Sequence, residues 1–375
     1  MPPPPHEPTD TRLLHLARAA AVAHIDRYHV PGLSVAITDR ERLLYAEGFG
    51  HADLAGRRRA GANTRYLWFS MSKIATATVA MRLADHGLLD LDAPVHTVVP
   101  GYRARRGDQP VIRQLLNHTA GAANPLPLRW VLPADAPEVD VAAFTRRIMA
   151  RHPQPRRRSG GQARYSNLGY LVLAEAISRA AGEPFEHHVR TALLEPAGMT
   201  ATGYTRRTND GHGADEATGY VYLARALTPA LRAALPAGIV GERHGRHLAL
   251  RPFRVAGAGF GGLIGSAPDA ARLLRLHLAD GTIDGTPILS AASAQAMRTI
   301  RTPGRPFDLG LGWFRRPADR NARPGFVEHW GTGAGFWNAM RLYPELGLGI
   351  VVTANTTRDY DHHQLMNAYV TAFTR

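Results

Sequence analysis

Two groups of strand-forming residues lie at opposite ends of this chain, and a sheet that uses both must close over everything between them. Near the start, Gly32-Leu33-Ser34-Val35-Ala36-Ile37-Thr38 and Leu43-Leu44-Tyr45-Ala46-Glu47-Gly48 flank the polar run Asp39-Arg40-Glu41-Arg42, which is a hairpin signal. Strand signals return after residue 255, at 259–265, 308–315, 336–343 and 347–354. The last two are joined by Pro344-Glu345-Leu346, which argues for antiparallel pairing. Between the two groups the pattern is mainly helical and broken by Pro and Gly. Its clearest helix covers 168–181, after Tyr165-Ser166-Asn167 and before Gly182. Further helices are expected over 11–29, 70–86 (with Gly87 as the stop), 268–280 (capped by Ser266) and 360–375. The expected fold is therefore α+β: a central antiparallel sheet flanked by helices, with an inserted mainly helical region. As domains, residues 1–10 read as a flexible tail, 11–94 with 255–375 as a sheet lobe, and 95–254 as a helical lobe with loop insertions. The active site would lie between the lobes. The Gly- and Arg-rich stretch 203–250 yields no assignment.

Composition narrows the chemistry. With 375 residues and 45% hydrophobic content the chain can bury a large core. It has no cysteine, which removes disulfides, thiolate metal sites and a cysteine nucleophile. No apolar run approaches the ~18 residues of a membrane helix. The polar, Pro-rich start lacks a basic segment followed by an apolar one, so no secretory signal and a cytoplasmic location are expected. The formal net charge is +14. The short arginine clusters at 57–59, 103–106 and 156–158 are far apart and carry no aromatic pattern of an RNA-binding module. They read as a solvated surface, and no nucleic-acid partner is expected.

Of the 45 basic residues only one, Lys73, is lysine. It stands three positions after Ser70 at the opening of a predicted helix, so both side chains share one face of the first turn. A chain with nine serines puts a randomly placed lysine in that relation about once in 40 placements. A serine hydroxyl needs a neighbour to take its proton. Neutral lysine can accept it and arginine cannot, which explains a single lysine in a chain that otherwise uses arginine. Tyr165 and Asn167, just before the 168–181 helix, add a phenol able to relay a proton and an amide able to orient the amine. Taken alone, that pair reads equally well as a packed tyrosine and a helix cap. His329-Trp330-Gly331-Thr332 precedes the strand near Phe336, and its glycine would let a substrate backbone approach closely.

Ser70-x-x-Lys73, Tyr165-x-Asn167 and His329-x-Gly331, in that order, resemble the three motifs of the serine β-lactamase and penicillin-binding-protein superfamily. The closest likeness is to the branch of class C β-lactamases and β-lactamase-like carboxylesterases. Flanking runs are similar as well, among them Leu115-Leu116-Asn117-His118-Thr119-Ala120-Gly121 and Leu194-Glu195-Pro196-Ala197-Gly198-Met199. The resemblance covers about residues 30–355. It implies a β-lactamase/transpeptidase-like fold and a serine hydrolase with Ser70 as the acylated nucleophile. It further implies proton transfer shared by Lys73 and Tyr165, positioning by Asn167, and an oxyanion hole from the backbone N–H groups of Ser70 and Thr332. Which of Lys73 and Tyr165 takes the first proton stays open.

The third motif departs from the superfamily's Lys-Thr-Gly. With His329 in place of lysine, the permanent cation that would hold a β-lactam carboxylate is missing, and Trp330 adds apolar bulk. Both changes favour a neutral ester, hence a β-lactamase-like carboxylesterase. The alternatives are a D-aminopeptidase, a β-lactamase, an acyltransferase, or a penicillin-binding sensor without turnover. No cofactor and no metal are expected, and the partner is a small-molecule ester, amide or short peptide. The run Gly257-Ala258-Gly259-Phe260-Gly261-Gly262 matches a dinucleotide fingerprint, but its context is wrong because no helix is expected to open within it. His187-His188 and His362-His363 read as exposed polar pairs, and His118 as a structural or site-adjacent residue. Lys73→Arg is expected to abolish activity with the fold intact.

Overall fold

The computed structural model describes residues 11–104, 108–125, 130–134, 136, 140–152, 159–204 and 215–374. The 1–10 tail, the 156–158 arginine cluster and part of the 103–106 cluster lie outside the described residues.

The two groups of strands meet in one antiparallel sheet. Its members are β1 (Gly32–Thr38), β2 (Leu43–Asp53), β3 (Arg58–Arg59), β4 (Asp308–Leu309), β5 (Phe314–Arg315), β6 (Val327–Gly333), β7 (Phe336–Tyr343) and β8 (Leu348–Ala354). They lie in the order β4-β5-β6-β7-β8-β1-β2-β3, so residues more than 300 apart in sequence pair at the centre, Val35 opposite Val352. The β1–β2 turn is tied by the Asp39 carboxylate, which accepts from the backbone N–H of Glu41 and Arg42 at 2.7 Å. β1 and β8 are buried along their whole length, which is why both read as nearly continuous apolar runs.

Helices cover both faces. On one, α1 (Thr11–Tyr28) packs with the C-terminal helix, α5 (His362–Phe373), against Val35, Ile37, Ile350 and Val352. On the other, the core around Ala36, Met340 and Val351 takes in α2 (Ser72–Asp85), α3 (Asn167–Ala181) and α4 (Ala267–Leu278). The alternation of Val35 and Ile37 with Ala36 is the two-residue period of a strand sorting its side chains between two cores. Every residue of α2 from Ser72 to Met81 is buried, so this helix is enclosed on all sides rather than amphipathic. α3 starts where Ser166 Oγ accepts from Gly169 N at 2.9 Å and ends at Gly182, whose φ of 71° closes the turn. Ser266 caps α4 through Asp269 N. No helix among the described residues is long and apolar enough to cross a membrane.

Several local readings are corrected or completed by the structure. The stretch 259–265 is not a strand: it is a one-turn helix, Ala258–Gly261, followed by Ile264–Ser266 paired with Arg65–Leu67. The stretch 308–315 is two short paired strands, because Gly312 at φ 104° turns the chain. β6 was not anticipated, since its glycines dilute the strand pattern. Within 203–250 a small sheet forms from Tyr220–Tyr222, Val240–His244 and His247–Leu250, while 205–214 lie outside the described residues. The histidine pairs are not simply exposed either: His188 and His362 are buried.

Candidate active site

Ser70 sits in a tight 3-10 turn, Phe69–Met71, that runs directly into α2. Phe69 holds a left-handed backbone (φ 47°), a conformation a non-glycine residue adopts at a cost of order 1–3 kcal/mol and keeps only where its surroundings enforce it. The enforcement is visible. Trp68 N donates to Leu263 O at 2.8 Å, and the Trp68 indole donates to Gly265 O at 3.1 Å. The β6 strand presses against the turn from the other side: a methyl group on Gly331 would overlap the Trp68 carbonyl oxygen, and one on Gly333 would overlap the Phe69 ring. Gly331 thus admits the protein's own backbone, where the sequence suggested a substrate's, and Gly333 admits the Phe69 ring. Asn338 on β7 ties the arrangement together, donating to Leu67 O at 2.9 Å and to Gly331 O at 3.2 Å.

One helical turn beyond Ser70, Lys73 is fully buried. Its Nζ lies 2.9 Å from Ser70 Oγ, 2.9 Å from Asn167 Oδ1 and 3.0 Å from the Phe260 carbonyl oxygen. Burial holds this amine well below the usual lysine range. A neutral amine has two N–H donors and one lone pair. Asn167 Oδ1 and the Phe260 carbonyl can only accept, so in the neutral form they would take both donors and leave the lone pair for the Ser70 hydroxyl. Three rings enclose the amine, with Nζ 4.8 Å from the centroid of Tyr165, 5.3 Å from Phe260 and 5.5 Å from Tyr170. Burial raises the Tyr165 phenol above its ordinary value and keeps it protonated, while its hydrogen bond to Ser70 pulls the other way.

Two histidines border this cluster, and neither adds charge. His329 is buried on β6, and its Nδ1 lies 2.8 Å from the Trp330 carbonyl oxygen. A carbonyl only accepts, so Nδ1 carries the proton. Burial holds the ring's pKa down to about 3. His118 stacks on Tyr165 (4.6 Å between centroids) and Tyr170 (5.0 Å), and its Nδ1 accepts from Ser166 N at 3.1 Å. Burial holds its pKa well below the ordinary histidine value too. Asn167 opens α3, and its N–H donates to Asn124 Oδ1 at 3.0 Å. Thr332 is exposed at the end of β6, next to Gly331.

The structure therefore gathers Ser70, Lys73, Tyr165 and Asn167 within direct contact and sets His329, Gly331 and Thr332 on the strand beside them. Sequence reasoning missed the Phe260 carbonyl. Its signal was present in the glycine run 257–262, where Gly259 lets the one-turn helix pack against the Tyr170 carbonyl and Ala174 of α3.

A second cluster behind Trp330 joins Glu328, His362 and His363, whose ligand atoms all lie within 4.8 Å of one another. Arg341 decides its character. It sits opposite Glu328 across the β6–β7 pair, bonds Glu328 Oε2 at 2.9 and 2.7 Å with both partners fully buried, and also donates to His363 Nδ1. A divalent cation would have to share this enclosure with the guanidinium, and one His363 lone pair is already taken. The cluster is a buried ion-pair network that fastens β7 to β6 and α5.

The family model described as Beta-lactamase matches residues 17–374. The chain is 29% identical over 322 residues to Protein Rv1367c of Mycobacterium tuberculosis, covering 75% of this chain and 73% of that one. It is 27% identical to esterase EstB of Burkholderia gladioli, covering 86% of each. Among solved structures, the D-amino acid amidase of Ochrobactrum anthropi superposes with a TM-score of 0.78 at 21% identity, covering 96% of this chain and 98% of the amidase, a likeness of fold.

Proposed function

Because the chain belongs to the beta-lactamase family, whose members include serine hydrolases, we propose that it cleaves a neutral ester through an acyl-Ser70 intermediate. The observation that carries this reading is the buried Lys73 amine, whose Nζ lies 2.9 Å from Ser70 Oγ while Asn167 Oδ1 and the Phe260 carbonyl hold it from the other side. In the proposed first step Ser70 Oγ attacks the ester carbonyl carbon as its proton passes to Lys73 Nζ. The new oxyanion takes hydrogen bonds from the backbone N–H groups of Ser70 and Thr332. As the tetrahedral intermediate collapses, the C–O bond breaks and the departing oxygen takes the Tyr165 phenolic proton. Lys73 then returns its proton to Tyr165. Water attacks the acyl-enzyme along the same relay and releases the acid and a free Ser70.

Preference for a neutral ester rests on His329. Its imidazole is uncharged and packed against Phe314 at 4.6 Å between centroids, so it supplies no cation for a substrate carboxylate. The similarity to EstB, an esterase by name, supports an ester as the substrate.

The test uses p-nitrophenyl butyrate, a D-alanine anilide and a chromogenic cephalosporin with wild type and Ser70→Ala, recording intact mass during turnover. Multiple turnovers of the ester, a butyryl adduct on wild type and loss of both in Ser70→Ala are expected. Ester turnover that survives in Ser70→Ala would remove the nucleophile. Faster cleavage of the anilide or the cephalosporin would overturn the ester preference.

A further inference from the structure

Next to Tyr165 lies an aromatic ring that the proposed chemistry does not use. Phe307 is partly exposed, and its centroid is 6.0 Å from that of Tyr165 in an edge-on arrangement. Behind it, Phe314 stacks at 4.0 Å and is itself only 1% exposed, while Trp330 meets Phe307 edge-on at 5.3 Å. The ring's backbone is held in place. Ala163 N donates to Pro303 O at 3.1 Å and Arg305 N to Ala163 O at 3.3 Å, which ties the Phe307 loop to the segment carrying Tyr165. Asp308, the next residue, is buried, accepts from Gly304 N at 3.2 Å and forms a two-point pair with Arg320 at 2.6 and 2.7 Å. A partly exposed phenylalanine backed by a buried ring and held by its own loop is a preformed apolar surface, and its ordering precedes any binding.

We propose that Phe307 is a specificity-determining residue for the alcohol side of the substrate, favouring esters of aromatic or bulky alcohols. This deepens the ester reading above and rests on it. In that mechanism Tyr165 protonates the departing oxygen, so that oxygen lies at the phenol. The group it carries is then the part of the substrate that reaches the neighbours of Tyr165. Of those neighbours, Lys73 and His118 are buried, and Phe307 offers ring surface to the solvent side. An aryl group there has the 4.5–7 Å edge or offset contacts that aromatic pairs prefer.

The experiment compares kcat/KM for methyl and benzyl butyrate in wild type, Phe307→Ala, Phe307→Leu and Phe307→Tyr. A second series of p-nitrophenyl esters from acetate to octanoate varies only the acyl chain. Phe307→Ala should lower the benzyl-to-methyl ratio about tenfold, the scale of one aromatic contact. Phe307→Leu should give a smaller drop, Phe307→Tyr should keep the ratio, and the acyl-chain profile should not move. A mere loss of packing would depress both alcohols alike, so the ratio carries the result even if melting shows Phe307→Ala to be less stable. An unchanged ratio, or a shift confined to the acyl series, would overturn the assignment while leaving the esterase reading intact. If wild type cleaves no ester and Ser70 takes no acyl group, the parent reading fails and this one with it.

Discussion

At the scale of single residues, the decisive contrast is between Lys73 and the chain's other basic groups. Arginine holds surface and buried ion pairs throughout, as in Arg341–Glu328 and Arg320–Asp308. Lysine appears once, where the amine must lose its charge. The sequence alone suggested that Lys73→Arg would keep the fold. The fully buried position changes that expectation: a guanidinium that cannot deprotonate would be enclosed among Tyr165, Tyr170 and Phe260. Lys73→Arg should therefore lose both ester turnover and thermal stability. Lys73→Met gives the finer test. In the unfolded chain the amine titrates near its ordinary value, and in the folded chain well below it, so folding releases a proton at any pH between those two values. Wild-type stability should then rise with pH toward the unfolded lysine value, by about 1.4 kcal/mol per pH unit while the two states differ by one proton. The melting midpoint of wild type should gain on that of Lys73→Met as pH rises toward the ordinary lysine value. Parallel curves would mean that Lys73 is charged in the folded protein.

At the scale of elements, the site is a contact between one strand and one turn. β6 approaches the Ser70 turn so closely that Gly331 has no room for a methyl group. Gly331→Ala must push β6 and the turn apart by more than an ångström, because the added methyl group would lie 1.8 Å from the Trp68 carbonyl oxygen. A displacement of that size at reacting groups costs about 10²-fold in rate. The variant should fold, because Asn338 and the Glu328–Arg341 pair still hold β6 to β7, yet kcat on p-nitrophenyl butyrate should fall by about that factor. Normal turnover in Gly331→Ala would show that the contact does not shape the site. This element was also the one least legible beforehand. The pattern Val327-Glu328-His329-Trp330-Gly331-Thr332-Gly333 mixes charge, glycine and aromatic residues, because it faces an ion pair on one side and another backbone on the other. Neither environment calls for the β-branched residues by which a strand is recognised.

For the molecule as a whole, buried histidines dominate the expected response to acid. Burial holds His277 and His329 down to about 3, and His118 and His362 well below the ordinary value. The unfolded chain takes up these protons as pH drops through about 6.5, and the folded chain does not. Stability contributed by these groups is complete above pH 6.5 and declines toward pH 3. His277 and His329 together remove about 3 kcal/mol per pH unit across that window. Glu186, Asp269 and Glu328 act in the opposite sense, since burial raises their carboxyl groups and acid relieves them. With a total stability of order 5–15 kcal/mol, cooperative unfolding between about pH 6 and pH 4 is expected. Circular dichroism against pH would check it, and a folded state unchanged at pH 4 would mean that these rings are solvated.

Local sequence determined much of this protein. Ser70 with Lys73, and Tyr165 with Asn167, each lie within one turn or cap, so their spacing alone places them together. The β1–β2 hairpin and the caps of α3 and α4 were legible for the same reason: Asp39, Ser166 and Ser266 bond to backbone within three residues. What the tertiary structure decided were the contacts between distant segments. The Phe260 carbonyl reaches Lys73 across 187 positions, and Gly331 admits the Trp68 carbonyl from a different motif. His362, read as exposed, is buried beneath Trp330. Each depends on close packing of backbones and rings, and pattern along the chain records which residues fit such a contact without recording their partners. The charge state of Lys73 belongs to the same class, since it follows from complete enclosure rather than from its neighbours in sequence.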